Sequence, residues 1–283
     1  MTMLRRGAVA ALSAILVAGC GQKPAPAAEE DRAALAAPQP PVVDVTTSDY
    51  AFQMPDTIAG GWVTIRNHNQ GKELHHVQLL RLEQGKTFAD LGAVADPLLE
   101  DWVVAVGGPS APPPGGFLDT TVDLAPGSYA VVCVVPSPDK KLHVMKGMAK
   151  PLTVVAPSLA AQPAQADISV KLLDYGFEFS TPITAGKHTF WVETAPGQPH
   201  ELIIARLVPG KTPAEFLAWV GNMVGPPPVE VIVGGTTAIA GGHVNVFQAE
   251  FVPGDYAIIC FIPDQKDGKP HAAHGMMQQI KIS

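Results

Sequence analysis

Four chemistry-bearing residues recur in one order twice along this chain. His75, Cys133, His143 and Met148 form the first set; His200, Cys260, His271 and Met276 form the second. Two imidazoles and a thiolate with a weak thioether are the donors of a blue-copper electron-transfer centre. The thiolate binds the ion covalently, the imidazoles complete a near-trigonal plane, and the soft thioether tunes the potential. A centre that hardly changes shape between Cu(I) and Cu(II) passes an electron with little reorganisation. Each residue also has a plainer reading. Cysteine is often buried as a small hydrophobe and methionine fills core gaps. A histidine can be a satisfied core residue. A Cys133–Cys260 disulfide suits an oxidising compartment, but equivalent positions of two separate domains rarely come within bonding distance. The coincidence of four residue types in both sets favours metal. His76, His274, Met145 and Met277 lie beside the sets. Strand alternation points His76 away from His75, whereas His274 competes with His271 as the ligand. His68, His188 and His243 fit surface or turn positions.

The elements that must position these sets form an internal repeat. Asp49-Tyr50-x-Phe52 returns as Asp174-Tyr175-x-Phe177, and Ala59-Gly60 as Ala185-Gly186. Arg81-Leu82 and Gly85-Lys86-Thr87 follow His75 as Arg206-Leu207 and Gly210-Lys211-Thr212 follow His200. The run Pro126 to Cys133 returns as Pro253 to Cys260, and Gly147-Met148 as Gly275-Met276. The offset stays between 125 and 128 residues. The expected division is a unit over 42–157, a linker over 158–166 and a second unit over 167–283. Val43-x-Val45, Trp62 to Ile65 and Tyr129 to Val135 are β-branched or aromatic runs bounded by turn residues. Thr212-Pro213-Ala214-Glu215 reads as a capped helix start, with Thr87 to Asp90 as its weaker counterpart. The fold class is all-β: two tandem antiparallel β-sandwiches, each with a short helical insertion.

Both loops from the cysteine onward end in His-x4-Met: His271-Ala-Ala-His-Gly-Met276, and His143-Val-Met-Lys-Gly-Met148. In this the chain resembles the cupredoxin family, Greek-key β-sandwich proteins, over roughly residues 42–283. The resemblance implies one type 1 copper ion per occupied unit and a redox partner protein. His200, Cys260 and His271 would be equatorial ligands with Met276 axial; His75, Cys133, His143 and Met148 would repeat the arrangement. Pro199-His200 and Pro270-His271 make the second unit the closer match. Ten residues separate Cys260 from His271, and nine separate Cys133 from His143. Small electron carriers of the family have a shorter gap; nitrite-reductase-like members have a comparable one. Copper nitrite reductases and oxidases commonly carry a histidine directly after the cysteine. Val134 and Phe261 stand there, and no His-x-His pair occurs. A carrier or binding protein is therefore expected rather than a multicopper enzyme.

Residues 1–20 read MTMLRRGAVAALSAILVAGC. A basic pair, an apolar stretch and a small-residue ending make residues 1–19 an export signal rather than a membrane span. Leu16 to Cys20 resembles the lipobox of bacterial lipoproteins. That implies lipidation of Cys20, a lipid anchor in the bacterial cell envelope, and exposure to the periplasm or exterior. Residues 20–41, rich in Ala, Pro and charge, read as a flexible tether. The 283 residues are 47% hydrophobic and 16% charged, which excludes a disordered chain. A net charge of -7 disfavours nucleic acid as a partner. No nucleophile elbow, phosphate loop or dinucleotide fingerprint occurs. Two other functions share the pattern. One is a metal-free scaffold on the same fold. The other is copper storage or delivery, with Met145, Met277 and spare histidines as transfer ligands.

Overall fold

The structure is a computed structural model that describes residues 38–94 and 97–283. Residues 1–19, Cys20 and most of the tether lie outside the described residues. The first copy supplies β1 (Val42–Ser48), β2 (Ala51–Gln53), β3 (Thr57–Ala59), β4 (Gly61–Asn69), β5 (Gln78–Leu82), β6 (Val103–Gly107), β7 (Phe117–Leu124), β8 (Gly127–Val132) and β9 (Ala149–Val155). The second supplies β10 (Ile168–Leu173), β11 (Gly176–Phe179), β12 (Gly186–Thr194), β13 (His200–Leu207), β14 (Val229–Ile239), β15 (Val244–Phe251), β16 (Gly254–Ile259) and β17 (Met277–Ile282). Side-chain alternation sets these strands. In β4, Val63, Ile65, Asn67 and Asn69 are buried while the residues between them are partly exposed.

Two sheets result. One runs β11-β10-β12-β15-β7-β4-β1-β2 and the other β17-β16-β13-β14-β6-β5-β8-β9-β3. Each therefore takes strands from both copies. Asn245 and Val246 of β15 pair with Val122 and Thr121 of β7, and Ile239 of β14 pairs with Val106 of β6. The sheets are mixed, which corrects the purely antiparallel expectation. β1 runs parallel to β4, β10 to β12, and β3 to β9. A parallel neighbour requires a crossover, and residues 49–60 and 174–185 provide it.

The apolar interior also crosses between copies. One cluster joins Leu80, Trp102 and Val132 to Phe190, Ile204 and Ile258. Phe190 stacks on Phe247 with centroids 4.8 Å apart. Each such side chain contributes about 1.5–3 kcal/mol when fully buried. The helices are α1 (Phe88–Leu91) and α2 (Pro213–Asn222). α2 starts as its sequence predicts: Thr212 Oγ1 accepts the Glu215 N–H at 3.2 Å, and Glu215 Oε2 accepts the Thr212 N–H at 2.9 Å. No helix among the described residues is long and apolar enough to cross a membrane. Part of the stretch expected as a linker lies against the fold: Ala161 is buried, and Gln162 N–H donates to the Pro38 carbonyl at 3.0 Å.

Two glycines lie at the seam where the copies meet: the Gly108 carbonyl accepts the Thr237 N–H at 2.9 Å, and the Gly235 carbonyl accepts Thr120 Oγ1 at 3.0 Å. Gly108 has φ 137°, and a Cβ there would lie 2.1 Å from the Val77 carbonyl oxygen. Gly235 mirrors it, with φ 137° and a gap of 2.0 Å to the Leu202 carbonyl. Val77 and Leu202 each follow the first histidine of their set by two residues, so each glycine packs against the segment that leaves that histidine. Gly108→Ala meets both a forbidden backbone angle and a clash, at an expected cost of about 2–4 kcal/mol. Calorimetry should show one cooperative transition at a lower midpoint, because both sheets cross the seam. Two separated transitions would contradict the shared-sheet account.

Candidate metal centres

The cysteine loops fold identically although their lengths differ. Cys133 follows β8 directly, and its N–H donates to the Met148 carbonyl at 3.2 Å. His143 opens a short 3-10 turn, His143–Lys146, and its carbonyl accepts the Met148 N–H at 3.0 Å. The Cys133 carbonyl accepts the Val144 N–H at 2.7 Å. The second copy repeats these bonds: Cys260 N–H to Met276 carbonyl at 3.2 Å, Met276 N–H to His271 carbonyl at 3.0 Å, and Ala272 N–H to Cys260 carbonyl at 3.0 Å. Pro136 bridges to Leu142, and Pro263 to Pro270, pinching each long loop so that its histidine returns to the cysteine.

Three donors converge in each copy. His75, Cys133 and His143 lie within 4.8 Å of one another through their ligand atoms, and so do His200, Cys260 and His271. All six are buried. His75 Nδ1 is 3.0 Å from His143 Nδ1, which is 3.4 Å from Cys133 Sγ. His200 Nδ1 is 3.0 Å from His271 Nδ1, which is 3.5 Å from Cys260 Sγ. Met148 and Met276 are fully buried behind these loops.

The far side of each ring fixes its tautomer. His75 Nε2 meets Asp49 Oδ1 at 2.6 Å, and His143 Nε2 meets Glu73 Oε2 at 2.9 Å. His200 Nε2 meets Asp174 Oδ1 at 3.1 Å. His271 Nε2 lies 3.4 Å from Gln198 Oε1. The Gln198 amide is held in that orientation, because its nitrogen donates to Asp264 at 2.9 Å and its oxygen accepts the Gln265 N–H at 2.7 Å. Each acceptor oxygen requires its Nε2 to carry the proton. Both Nδ1 atoms in a copy then present bare lone pairs to each other at hydrogen-bond distance. While both rings are neutral neither Nδ1 can donate, and a bound cation would satisfy both lone pairs. Imidazole and thiolate donors without a hard oxygen suit copper or zinc rather than magnesium or calcium.

Burial sets the charge states. It pushes the Cys133 thiol up to about 12 and raises Cys260 strongly. It lowers His143 and His200 against their carboxylates, and with neighbouring His200 it brings His271 down to about 4. Glu73 is pushed up by burial, but bonds from Ser137, His143 and Tyr50 outweigh that and leave it lowered.

The neighbours resolve as follows. His271, not His274, joins the second set; His274 instead pairs with Asp267 at 3.1 Å. His76 is buried beside the first set, and its Nε2 accepts the Val134 N–H at 2.8 Å. Burial pushes it down to about 3. At the same position of the second copy, Glu201 Oε1 accepts the Phe261 N–H at 2.6 Å, and burial pushes Glu201 up to about 7. His68 pairs with Asp44 and His188 with Asp167, while His243 lines a cleft with Trp62 and Trp191. Met145 is exposed. Asp49, Glu73, Asp174 and Gln198 were not among the site residues read from the sequence. Their signals were present: a repeated Asp-Tyr-x-Phe, and an acceptor side chain two residues before each first histidine. Among the described residues, one further group has metal-ligand spacing, Asp264, Asp267 and His274.

No protein-family model matches the chain, and no curated protein matches it. Among solved structures it is similar to dithionite-reduced auracyanin from the photosynthetic bacterium Roseiflexus castenholzii, at 19% identity over 41% of this chain and 98% of that one, TM-score 0.29. It is similar to auracyanin A, a "blue" copper protein from Chloroflexus aurantiacus, at 20% identity over 41% and 99%, TM-score 0.30. It is also similar to copper nitrite reductase from Nitrosomonas europaea, at 15% identity over 86% and 94%, TM-score 0.25. Likeness this loose carries no weight for function, which rests on the side chains above.

The charge states predict how stability of the metal-free chain depends on pH. His76, His143, His200 and His271 all lie below the ordinary 6.5 when folded. The unfolded chain therefore binds more protons in acid, and stability falls as pH drops below about 6.5 towards 3. Glu201 works the other way between 4.5 and about 7. Above pH 9 the unfolded thiols lose protons that the folded Cys133 keeps to about 12, so stability falls again. Urea midpoints measured with chelator should peak between about pH 6.5 and 9. His76→Gln should flatten the acid limb; an acid limb unchanged in that variant would contradict the assignment.

Proposed function

We propose that the chain is a cupredoxin-like copper protein of the bacterial cell envelope, anchored by lipid at Cys20, that carries single electrons to and from a redox partner protein. Its two units, 42–157 and 167–283, each hold one copper ion as a type 1 centre. His75, Cys133, His143 and Met148 would hold the first, and His200, Cys260, His271 and Met276 the second. The observation that carries the reading is the pair of bare Nδ1 lone pairs facing each other at 3.0 Å beside a buried thiol, in both copies. Bound copper supplies the one-electron chemistry. The protein does the rest. Asp49, Glu73, Asp174 and Gln198 hold the ring protons on Nε2 and so keep Nδ1 ready to ligate. The Glu201 N–H donates to Cys260 Sγ at 3.4 Å, which steadies a thiolate there. Burial excludes water, and the bonds tying Cys133 to Met148 and Cys260 to Met276 resist movement between oxidation states. With Val134 and Phe261 after the cysteines, the protein is read as a carrier rather than an oxidase or nitrite reductase.

Cu(II) titration of the soluble chain beginning after residue 20 should produce an intense thiolate charge-transfer band. Cys133→Ser and Cys260→Ser should each remove part of it, and the double variant all of it. Tight Cu(I) binding without colour would indicate storage or delivery. A chain that folds, retains no copper after desalting and shows no band would leave a metal-free scaffold.

Glu73→Gln should raise the reduction potential of the first centre and leave the second unmoved. A carboxylate on the ligand ring favours Cu(II), and each tenfold change in relative affinity shifts a one-electron couple by about 59 mV. Spectroelectrochemical titration of the Cys260→Ser background reads this directly. A lowered or unchanged potential would refute the role given to Glu73.

A further inference from the structure

We propose that the two copper centres exchange an electron within the chain, through hydrogen bonds across the seam; this rests on the copper reading above. The segment leaving His75 does not merely approach the second copy. Val77 accepts a hydrogen bond at its carbonyl from Thr237 Oγ1 at 3.4 Å, and Gln78 Nε2 donates to the Ala238 carbonyl at 3.1 Å. Thr237 and Ala238 belong to β14, and the next residue, Ile239, pairs in register with His200. A route therefore runs from His75 along two residues to Val77, across one hydrogen bond to Thr237, along two residues to Ile239, and across one strand pairing to His200.

Every part of that route is dry. Val77, Gln78, Thr237, Ala238, Ile239 and His200 are all buried. Gly108 makes the approach possible, since a side chain there would occupy the place of the Val77 carbonyl. The Gly108 carbonyl also accepts the Thr237 N–H at 2.9 Å, which locks the crossing point. Electron tunnelling decays more slowly through covalent and hydrogen bonds than through space. A continuous bonded route ending on a donor residue of each set thus favours transfer between them. With copper held by both donor sets, one ion would be oxidised from Cu(I) to Cu(II) as the other was reduced from Cu(II) to Cu(I). No bond breaks and no proton moves.

The test uses the full chain loaded with copper. Steady-state spectra of the parent, Cys133→Ser and Cys260→Ser chains first establish a band from each centre. If either band is missing, the copper reading fails, and it does so before any kinetics are recorded. With both bands present, a pulse of radiolytic reductant delivers less than one electron per chain. The expected result is a first-order relaxation after the initial reduction, with a rate independent of protein concentration. It should be absent from both single-centre chains. Thr237→Val combined with Gln78→Leu should slow it several-fold while both bands persist. A relaxation whose rate scales with protein concentration, or a flat trace, overturns transfer within the chain. A rate unchanged in the double variant overturns the route. Pulsed EPR of the di-Cu(II) protein supplies a reading independent of mutation: a dipolar coupling between the centres is expected, and its absence overturns the proposal.

Discussion

The rest of the structure depends on one electrostatic constraint: in each copy two imidazole lone pairs point at each other in a buried interior. Acceptors behind the rings hold the protons on Nε2, so the facing Nδ1 atoms have no proton to share. An unsatisfied buried polar group costs about 1–3 kcal/mol. Here two such groups and a thiol are brought together by elements that gain nothing from the meeting. β8 and β16 deliver the cysteines, the short turns at His143–Lys146 and His271–His274 deliver one imidazole, and the segments entering β5 and β13 deliver the other. A soft cation held there would convert this cost into binding energy, and would have to displace the thiol proton that burial otherwise retains.

Rigidity follows from the sharing of both sheets. A sandwich that stood alone could adjust its strands without disturbing a neighbour. These copies are paired at Ile239 with Val106 and at Asn245 with Val122, and they meet where Gly108 and Gly235 lie against carbonyls two residues beyond a ligand histidine. Thr120 Oγ1 bonds the Gly235 carbonyl as the Thr237 N–H bonds that of Gly108. The joint is thus built from both sides.

The ligand types, their order and the duplicated unit are legible in the sequence because duplication repeats the rare residues. Capping at Thr212 is legible because the signal is local. The choice between His271 and His274 is not. The two lie three residues apart in one turn, and only the backbone register from Cys260 to Met276 decides which ring faces inward. The parallel neighbours β1–β4 and β10–β12 are hidden, because alternation reports which face is buried and not strand direction. The shared sheets are hidden for a related reason: the joins involve a few ordinary apolar and polar residues, and nothing in their spacing marks a partner more than a hundred residues away.

The position after each first histidine shows why identity is a poor guide to role. His76 and Glu201 share no chemistry at the level of residue type, yet each accepts the N–H of the residue following its cysteine. The shared requirement is a lone pair at that point and a buried body around it. Imidazole meets it by remaining neutral, since burial disfavours its charged form; the carboxyl oxygen meets it in either protonation state. Glu73 and Gln198 form a second such pair, one charged and one neutral, each placing an oxygen near the Nε2 of the second imidazole. Between the two copies the geometry of acceptance is the same while the charge of the acceptor differs. The two donor sets are therefore alike in shape and different in electrostatic surroundings, so metal ions held in them would differ in potential.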